Sequence, residues 1–125
     1  KWGGTAEVAM ASHHWPTWGA GEVSSLLSNQ RDAYRYVHDR TLFLANRGAT
    51  LHELADATAE APVQARDFAT RGYYGTYNHN AKAVFQYYFG WWDGVPANYH
   101  RHIPTEEATR YVAAMGGAER RRRHA

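Results

Sequence analysis

Between Gly21 and Arg47, the side chains with apolar or packing character recur in steps of three and four residues. The recurring positions are Val23, Leu27, Gln30, Tyr34, Val37, Thr41 and Leu44. This spacing places them on one face of an α-helix and leaves the charged residues of the segment on the opposite face. Gly48 follows at the position where many helices end in a left-handed residue. The segment is therefore predicted to form one amphipathic helix about 40 Å long.

Short elements are predicted on both sides of this helix. Residues 5–12 (TAEVAMAS) have the composition of a short buried strand that runs into a loop over residues 13–19. After the helix, Thr50 and Glu53 have the spacing of a capping box for a short helix that ends at about residue 57.

The second half of the chain predicts further helices, separated by turn-rich segments. Pro62 suits the first turn of one helix, which ends near Arg71. Asn78 or Asn80 can cap the next helix, AKAVFQYYF. Thr105 is placed to cap a last helix, which a pair of glycines ends. The coarse prediction is a mostly α chain with one strand followed by five or six helices.

The composition sets limits on the protein class. The 125 residues are enough for one small domain or for a piece of a larger protein. Hydrophobic residues make up 44%, and no stretch approaches the roughly 20 apolar residues of a membrane span. The N-terminal sequence lacks the architecture of a signal peptide, which leaves localisation open, including a periplasmic or secreted parent protein. The absence of cysteine excludes disulfides and thiolate metal ligands.

The net charge of +2 comes from the C-terminal tail. Arg120–Arg123 supply four of the 14 basic residues, so residues 1–119 carry 10 basic against 12 acidic side chains, a net charge of −2. Proteins that bind nucleic acid usually show a basic stripe on the folded body. We therefore expect no nucleic-acid partner, and a nucleic-acid binder with a basic tail is only a third alternative.

Two adjacent histidines, His13 and His14, follow the predicted strand. Imidazole is a good zinc ligand, but a zinc site needs three or four donors. From the residues alone, this pair is either part of a metal site or structural. The pattern around the remaining histidines other than His79 favours packing or exposure to solvent: His38, His52, His100, His102 and His124.

His79 lies at the start of a predicted helix, within residues 73–92, where 9 of the 20 residues are aromatic. A helix N-terminus favours a neutral imidazole or a bound anion. With a tyrosine nearby, His79 is a candidate general acid or anion contact. In the alternative interpretation, Asn78, His79 and Asn80 only cap the helix, and the aromatic residues form the core.

Four segments in order resemble the alkyl sulfatases of the metallo-β-lactamase superfamily: HHWPTWG, SLLSNQRDAYRYVHDRTLFLANRG, RGYYGTYNHNAKAVFQYYFGWWDGVPAN and EEATRYVAAMGGA. The resemblance runs from about Glu7 to Ala118. The ordered recurrence of RGYYG, HN, QYYFGW and DG-PAN is more specific than any single motif. Val95 departs from the family pattern, which commonly has Asn there, and the RRRRHA tail has no recognisable counterpart.

The resemblance implies a mostly α fold, in which a multi-helix dimerisation domain is preceded by one β-strand left over from an αββα metallo-β-lactamase core. Residues 1–19 would be the C-terminal end of the catalytic core, residues 20–118 the helical dimerisation domain and residues 119–125 a truncated basic tail. The parent enzyme would be a homodimer that hydrolyses alkyl sulfate esters such as dodecyl sulfate with two Zn²⁺ ions. Its other metal ligands, and the Asn and Arg that would hold sulfate, are expected upstream.

The resemblance also implies roles for individual residues. His13 is the expected zinc ligand, with His14 as the alternative. His79 is the expected acid that protonates the departing oxygen, assisted by Tyr74. The expected substrate contacts are Tyr73, Tyr77 and Trp91. The alternative function is a non-catalytic helical module for protein interaction or dimerisation.

Overall fold

The computed structural model describes residues 4–59, 66–73 and 75–117. Within these residues, a β-hairpin precedes four α-helices. The elements are β1 (Val8–Ala11), β2 (His14–Trp18), α1 (Ala20–Ala45), α2 (Leu51–Ala57), α3 (Tyr77–Phe89) and α4 (Pro104–Ala114). Two short 3₁₀ turns, Phe68–Thr70 and Pro96–Asn98, lie in the connections. The predicted mostly α fold is confirmed.

The chain divides into two compact units, Lys1–Asp93 and Gly94–Ala125. The first unit contains the hairpin and α1–α3, and the second contains α4. In the second unit, Arg110 and Glu106 form an ion pair of 2.7 Å across one helical turn. No helix in the described part of the chain combines the length and the apolar character needed to cross a membrane.

Helix α1 agrees closely with the amphipathic helix predicted from the periodic pattern. Its buried residues, Val23, Val37 and Thr41, all belong to the predicted apolar face. Gly48 has φ of +86°, in the left-handed region that side chains other than glycine rarely adopt. The spacing of three and four was therefore sufficient to locate both the helix and its buried face.

The capping box of α2 is also confirmed. The Thr50 hydroxyl accepts a hydrogen bond from the Glu53 backbone N–H, and the Glu53 carboxylate accepts one from the Thr50 N–H at 2.9 Å. The hydrogen bond from the Thr50 backbone N–H lowers the pKa of Glu53 below its usual value, and the hydrogen bond from the Thr50 hydroxyl lowers it further to a smaller extent. The box fixes the start of α2 and directs its apolar side towards α3.

The core of the first unit lies between α2 and α3. Its buried residues are Leu54, Ala55, Ala81 and Phe85, against which Leu44, Ala45, Ala49 and Leu51 pack. A further contact joins α1 to α3, because the His38 Nε2 and the Tyr88 hydroxyl form a hydrogen bond of 2.9 Å. Helices α1 and α3 are thereby held together around the site described below.

The strand predictions need correction. Residues 13–19 were predicted as a loop, but His14–Trp18 form β2, which pairs antiparallel with β1 through Val8–Trp18 and Ala11–His14. Residues Ser12 and His13 form the turn. Strand β1 is largely exposed, so the expected buried strand is wrong in its burial. Its composition is typical of a strand, but composition does not show whether another layer covers it.

Helix starts were predicted less well than helix faces. Thr76, instead of Asn78 or Asn80, caps α3, because its hydroxyl accepts from the His79 backbone N–H at 3.1 Å. Thr76 precedes both asparagines in the chain. The helix therefore starts one turn earlier than predicted, and Asn78 and Asn80 lie within it.

The start of α4 also differs from the prediction. Ile103 is its N-cap residue, and Thr105 lies inside the helix. Pro104 occupies the first turn, where its fixed φ suits a helix and its missing N–H costs nothing. Residues 62–65 of the helix predicted from Pro62, and the whole basic tail at 119–125, lie outside the described residues; in the described part, residues 66–71, the predicted α-helix is wrong. The described end of the former is the 3₁₀ turn Phe68–Thr70.

Candidate functional site

A cavity of about 710 Å³ lies in the first unit, where the β-hairpin, α1, the connection between α2 and α3, and α3 itself meet. This volume is typical of sites for small organic ligands. Its walls are mostly apolar, and the polar groups are concentrated on the hairpin and on the connection before α3. Such a distribution suits a ligand with one polar end and one apolar end.

Hydrogen bonds from α1 hold the connection that forms one wall of this cavity. Asn29 donates to the Asp67 carboxylate, and Gln30 donates to the Ala69 carbonyl. From the other side, the hydroxyl of Tyr77, on α3, donates to the Thr70 carbonyl at 2.7 Å. Residues 67–70 of this wall are therefore held by both helices.

His14 presents one imidazole nitrogen without a hydrogen-bond partner in the described part of the chain. Its Nδ1 lies 2.7 Å from the carbonyl oxygen of Trp15. Because a carbonyl oxygen can only accept, Nδ1 carries the proton, and in neutral imidazole Nε2 then carries a lone pair. This Nε2 is buried and has no hydrogen-bond partner among the described residues. Metal-binding histidines typically show this pattern, with one ring nitrogen donating to a carbonyl and the other binding the ion.

His13, one residue earlier, has a different environment. It lies in the turn of the hairpin and its side chain is exposed, although it also lines the cavity. The ring of His14, in contrast, packs edge-on against Phe68 with centroids 6.3 Å apart. The structure therefore fixes the orientation of His14 by contacts on two sides.

The described residues supply only part of a metal site. In ranges 4–59, 66–73 and 75–117, no three His, Cys, Asp or Glu side chains form a group that could hold a metal ion. His14 fits as one nitrogen ligand because its Nε2 is buried, directed by the Trp15 carbonyl and unsatisfied. A complete zinc site would need two or three further donors from outside these ranges.

Arg71 lines the cavity, although the sequence pattern predicted it only as the end of a helix and not as a site residue. It precedes the N-terminus of α3, where Thr76 and Asn80 also line the cavity. A guanidinium group and a helix N-terminus both favour an anion. The sequence signal was RGYYGTYN, an arginine a few residues before a helix cap.

The predicted tyrosine contacts have different positions. Tyr73 lines the cavity, and its ring packs on Phe68 at a centroid distance of 5.0 Å. Tyr77 also lines the cavity, but it is buried and its hydroxyl is engaged by Thr70. Tyr74 lies outside the described residues.

Two other predicted site residues lie outside the cavity lining given by the described residues. His79 is in the first turn of α3 with an exposed side chain. Trp91 follows α3 and is 68% exposed. The structure brings neither of them next to His14, so their roles stay predictions.

The comparisons with known proteins agree on one family. The sequence model of the family described as alkyl sulfatase dimerisation matches residues 50–125. A linear primary-alkylsulfatase of a Pseudomonas species is 48% identical over 118 residues, which is 94% of this chain and 18% of that protein. An alkyl/aryl-sulfatase of Saccharomyces cerevisiae is 44% identical over 117 residues, 94% of this chain and 18% of that protein.

The fold is similar to that of a solved structure. A stereoselective inverting sec-alkylsulfatase from a Pseudomonas species matches with a TM-score of 0.83 and 42% identity, over 94% of this chain and 19% of that one. The chain thus spans about a fifth of the length of the relatives it matches.

Proposed function

The chain belongs to the alkyl sulfatase dimerisation family, and we propose that it is a segment of a zinc-dependent alkyl sulfatase that hydrolyses alkyl sulfate esters, such as dodecyl sulfate, to alcohol and sulfate. The observation that carries the proposal is a single cavity lined by His14, whose Nε2 has no hydrogen-bond partner among the described residues, by Arg71 and by a mostly apolar surface. Alkyl sulfates have an anionic head and an apolar tail, which match these parts.

In this proposal, His14 is the zinc ligand that the chain supplies. His13 was the first expectation from the family resemblance, and the buried, directed Nε2 favours the alternative. Residues 1–19 would be the end of a metallo-β-lactamase-like core, whose other parts provide the remaining ligands. When bound, two zinc ions would supply the Lewis acid that makes water nucleophilic near neutral pH.

The sulfate group would lie between His14 and the N-terminus of α3. Arg71 offers paired N–H donors to sulfate oxygens, and the positive end of the α3 dipole adds to the field. Tyr73 on the same wall is supported as a substrate contact, and Tyr77 as a residue that shapes the wall. The acid that protonates the departing oxygen is proposed to be His79, assisted by Tyr74, and Trp91 is proposed as a further substrate contact.

We expect the full-length protein that contains this chain to release sulfate from dodecyl sulfate, and the 125-residue chain alone to release none. The physical reason is that one nitrogen ligand cannot hold a metal centre that activates water. Ion chromatography of the released sulfate measures the activity of the full-length protein and of the 125-residue chain. A chelator should abolish the activity, and added Zn²⁺ should restore it. Sulfate release by the purified chain, or unchanged activity of the metal-free protein, would contradict the proposal.

We also propose that this segment forms the contact between two subunits. Large apolar side chains at the end of α3 and just after it are exposed: Tyr87, Tyr88, Phe89, Trp91 and Trp92. A permanent dimer interface typically buries upward of about 2,000 Å², and clusters of exposed aromatic residues are common in such interfaces.

The full-length protein should therefore have the mass of a dimer in light scattering at micromolar concentration. The double variant Tyr87→Glu, Trp91→Glu should dissociate it, because burying two unpaired carboxylates is costly. Ala57→Glu on the exposed end of α2 adds a charge away from these aromatic residues and serves as the control. A wild-type monomer with an intact circular dichroism spectrum would rule out this role.

A further inference from the structure

Two polar residues, Asn29 on α1 and Asp67 in the connection before α3, are joined to each other beside the cavity. The Asn29 side-chain amide donates a hydrogen bond to one oxygen of the Asp67 carboxylate, and this bond is partly buried. Neither residue is among those that line the cavity, although the segment that follows Asp67 forms part of its wall. An effect of either side chain on a ligand in the cavity would therefore act through a neighbouring residue.

Asp67 closes the turn that leads into Arg71. The other oxygen of its carboxylate accepts from the Ala69 backbone N–H at 2.9 Å, and its carbonyl accepts from the Thr70 backbone N–H at 3.1 Å. Thr70 is only 6% exposed, and its own carbonyl accepts a hydrogen bond from α3 at 2.7 Å. Arg71 is the next residue, so the backbone that enters it is held by α1 at one end of the turn and by α3 at the other.

We propose that Asn29 and Asp67 are positioning residues for Arg71, which keep its guanidinium where it binds the anionic head of the ligand. This inference rests on the proposed function, in which Arg71 holds the sulfate group. A binding group must be placed to within about 0.5 Å by the packing and hydrogen bonds behind it, and a misplacement of about 1 Å can lower a rate by about 10²-fold. The bond between Asn29 and Asp67 supplies this support for the turn before Arg71.

The first test uses the full-length protein with Asn29→Ala, which removes the donor, and with Asn29→Asp, which sets two carboxylates against each other. Each should lower kcat/KM for dodecyl sulfate by about tenfold and raise the inhibition constant of inorganic sulfate by about the same factor, because both anions depend on Arg71. Adding Asp67→Asn to Asn29→Asp exchanges donor and acceptor, keeps the net charge of wild type and leaves an oxygen to cap the turn. The exchanged pair should therefore return both values to within roughly twofold of wild type.

A second test separates positioning from a general loss of stability. In the Arg71→Ala background, Asn29→Ala should change kcat/KM by less than about twofold, since the side chain to be positioned is absent and the two effects are not additive. Asn46→Ala is the matched control, because it removes the same amide from the exposed C-terminal end of α1, outside the described cavity lining, and it should leave every constant unchanged. Equal falls in the two backgrounds, or a fall that the exchanged pair does not reverse, would overturn the inference.

Calorimetric titration of the full-length protein with inorganic sulfate separates this inference from the proposed function. Sulfate binding that Asn29→Ala weakens and the exchanged pair restores supports the positioning role even where dodecyl sulfate is not hydrolysed, and the proposed function then fails alone. Hydrolysis with constants that Asn29→Ala does not alter overturns only the positioning role. Absence of both sulfate binding and hydrolysis overturns both.

Discussion

His14→Ala in the full-length protein is expected to lose bound zinc and to lower kcat/KM for dodecyl sulfate by more than about 100-fold. Removing a residue that only supports a ligand already costs 10–100-fold in metal affinity or activity, and a ligand itself should cost more. The imidazole of His14 has its Nδ1 bound to the Trp15 carbonyl, and its Nε2 has no hydrogen-bond partner among the described residues, so its loss removes the nitrogen donor proposed for this hairpin.

His13→Ala is the matched control, because it removes the same side chain from the preceding position. His13 is exposed in the hairpin turn, so its variant should keep its zinc and most of its activity. Metal analysis after gel filtration, with circular dichroism to confirm the fold, distinguishes the two. If His13→Ala loses zinc and His14→Ala keeps it, the zinc ligand is His13 and the assignment to His14 is wrong. If both keep zinc, this hairpin contributes no ligand.

The sequence indicated the histidine pair but could not select between its members. Two consecutive residues differ in the face that they present, and that depends on whether the segment is strand or loop. The sequence pattern favoured a loop over residues 13–19, but His14 is the first residue of β2 and pairs with Ala11. The observation that favours His14 is the hydrogen bond between its Nδ1 and the Trp15 carbonyl. Side-chain geometry of this kind cannot be inferred from the spacing of residues in the sequence.

The helices were predictable to the extent that periodicity determined them. Helix α1 has 26 residues, so many repeats of the three-and-four spacing defined its buried face. The capping box at Thr50 was recognisable because it uses two residues at a fixed distance. The starts of α3 and α4 were missed because several neighbouring residues could cap, and the choice depends on the local backbone.

The apolar part of the cavity was predicted only in a general way. Tyr73 and Tyr77 were expected as substrate contacts, and both line the cavity. Small residues that line the cavity, such as Ala33 and Ala83, gave no signal, because in the sequence they read as ordinary helix positions.

Arg71 was missed for a related reason, since an isolated arginine at the end of a predicted helix has an ordinary structural explanation. In the structure it lines the same cavity as Tyr73 and His14, and it precedes the N-terminus of α3. An arginine here can form paired hydrogen bonds with sulfate oxygens, whose charge is redistributed as the ester bond breaks.

Arg71→Ala is therefore expected to lower kcat/KM for every alkyl sulfate by about 10²–10³-fold, the usual cost of removing one donor that stabilises charge in a transition state. The loss should be the same for hexyl and dodecyl sulfate, because the head group is common to both. Arg71→Lys should recover only part of it, since lysine keeps the charge but not the paired geometry. Inhibition by inorganic sulfate should weaken in parallel.

Arg66→Ala provides the control, because Arg66 is an exposed arginine five residues earlier and is not among the described residues that line the cavity. It should retain the kinetic constants of wild type, which separates a local role of Arg71 from a general effect of positive charge. Zinc content should be unchanged in both variants, in contrast to His14→Ala. If Arg71→Ala and Arg66→Ala behave alike, or if Arg71→Ala affects only long-chain substrates, then Arg71 does not bind the sulfate group.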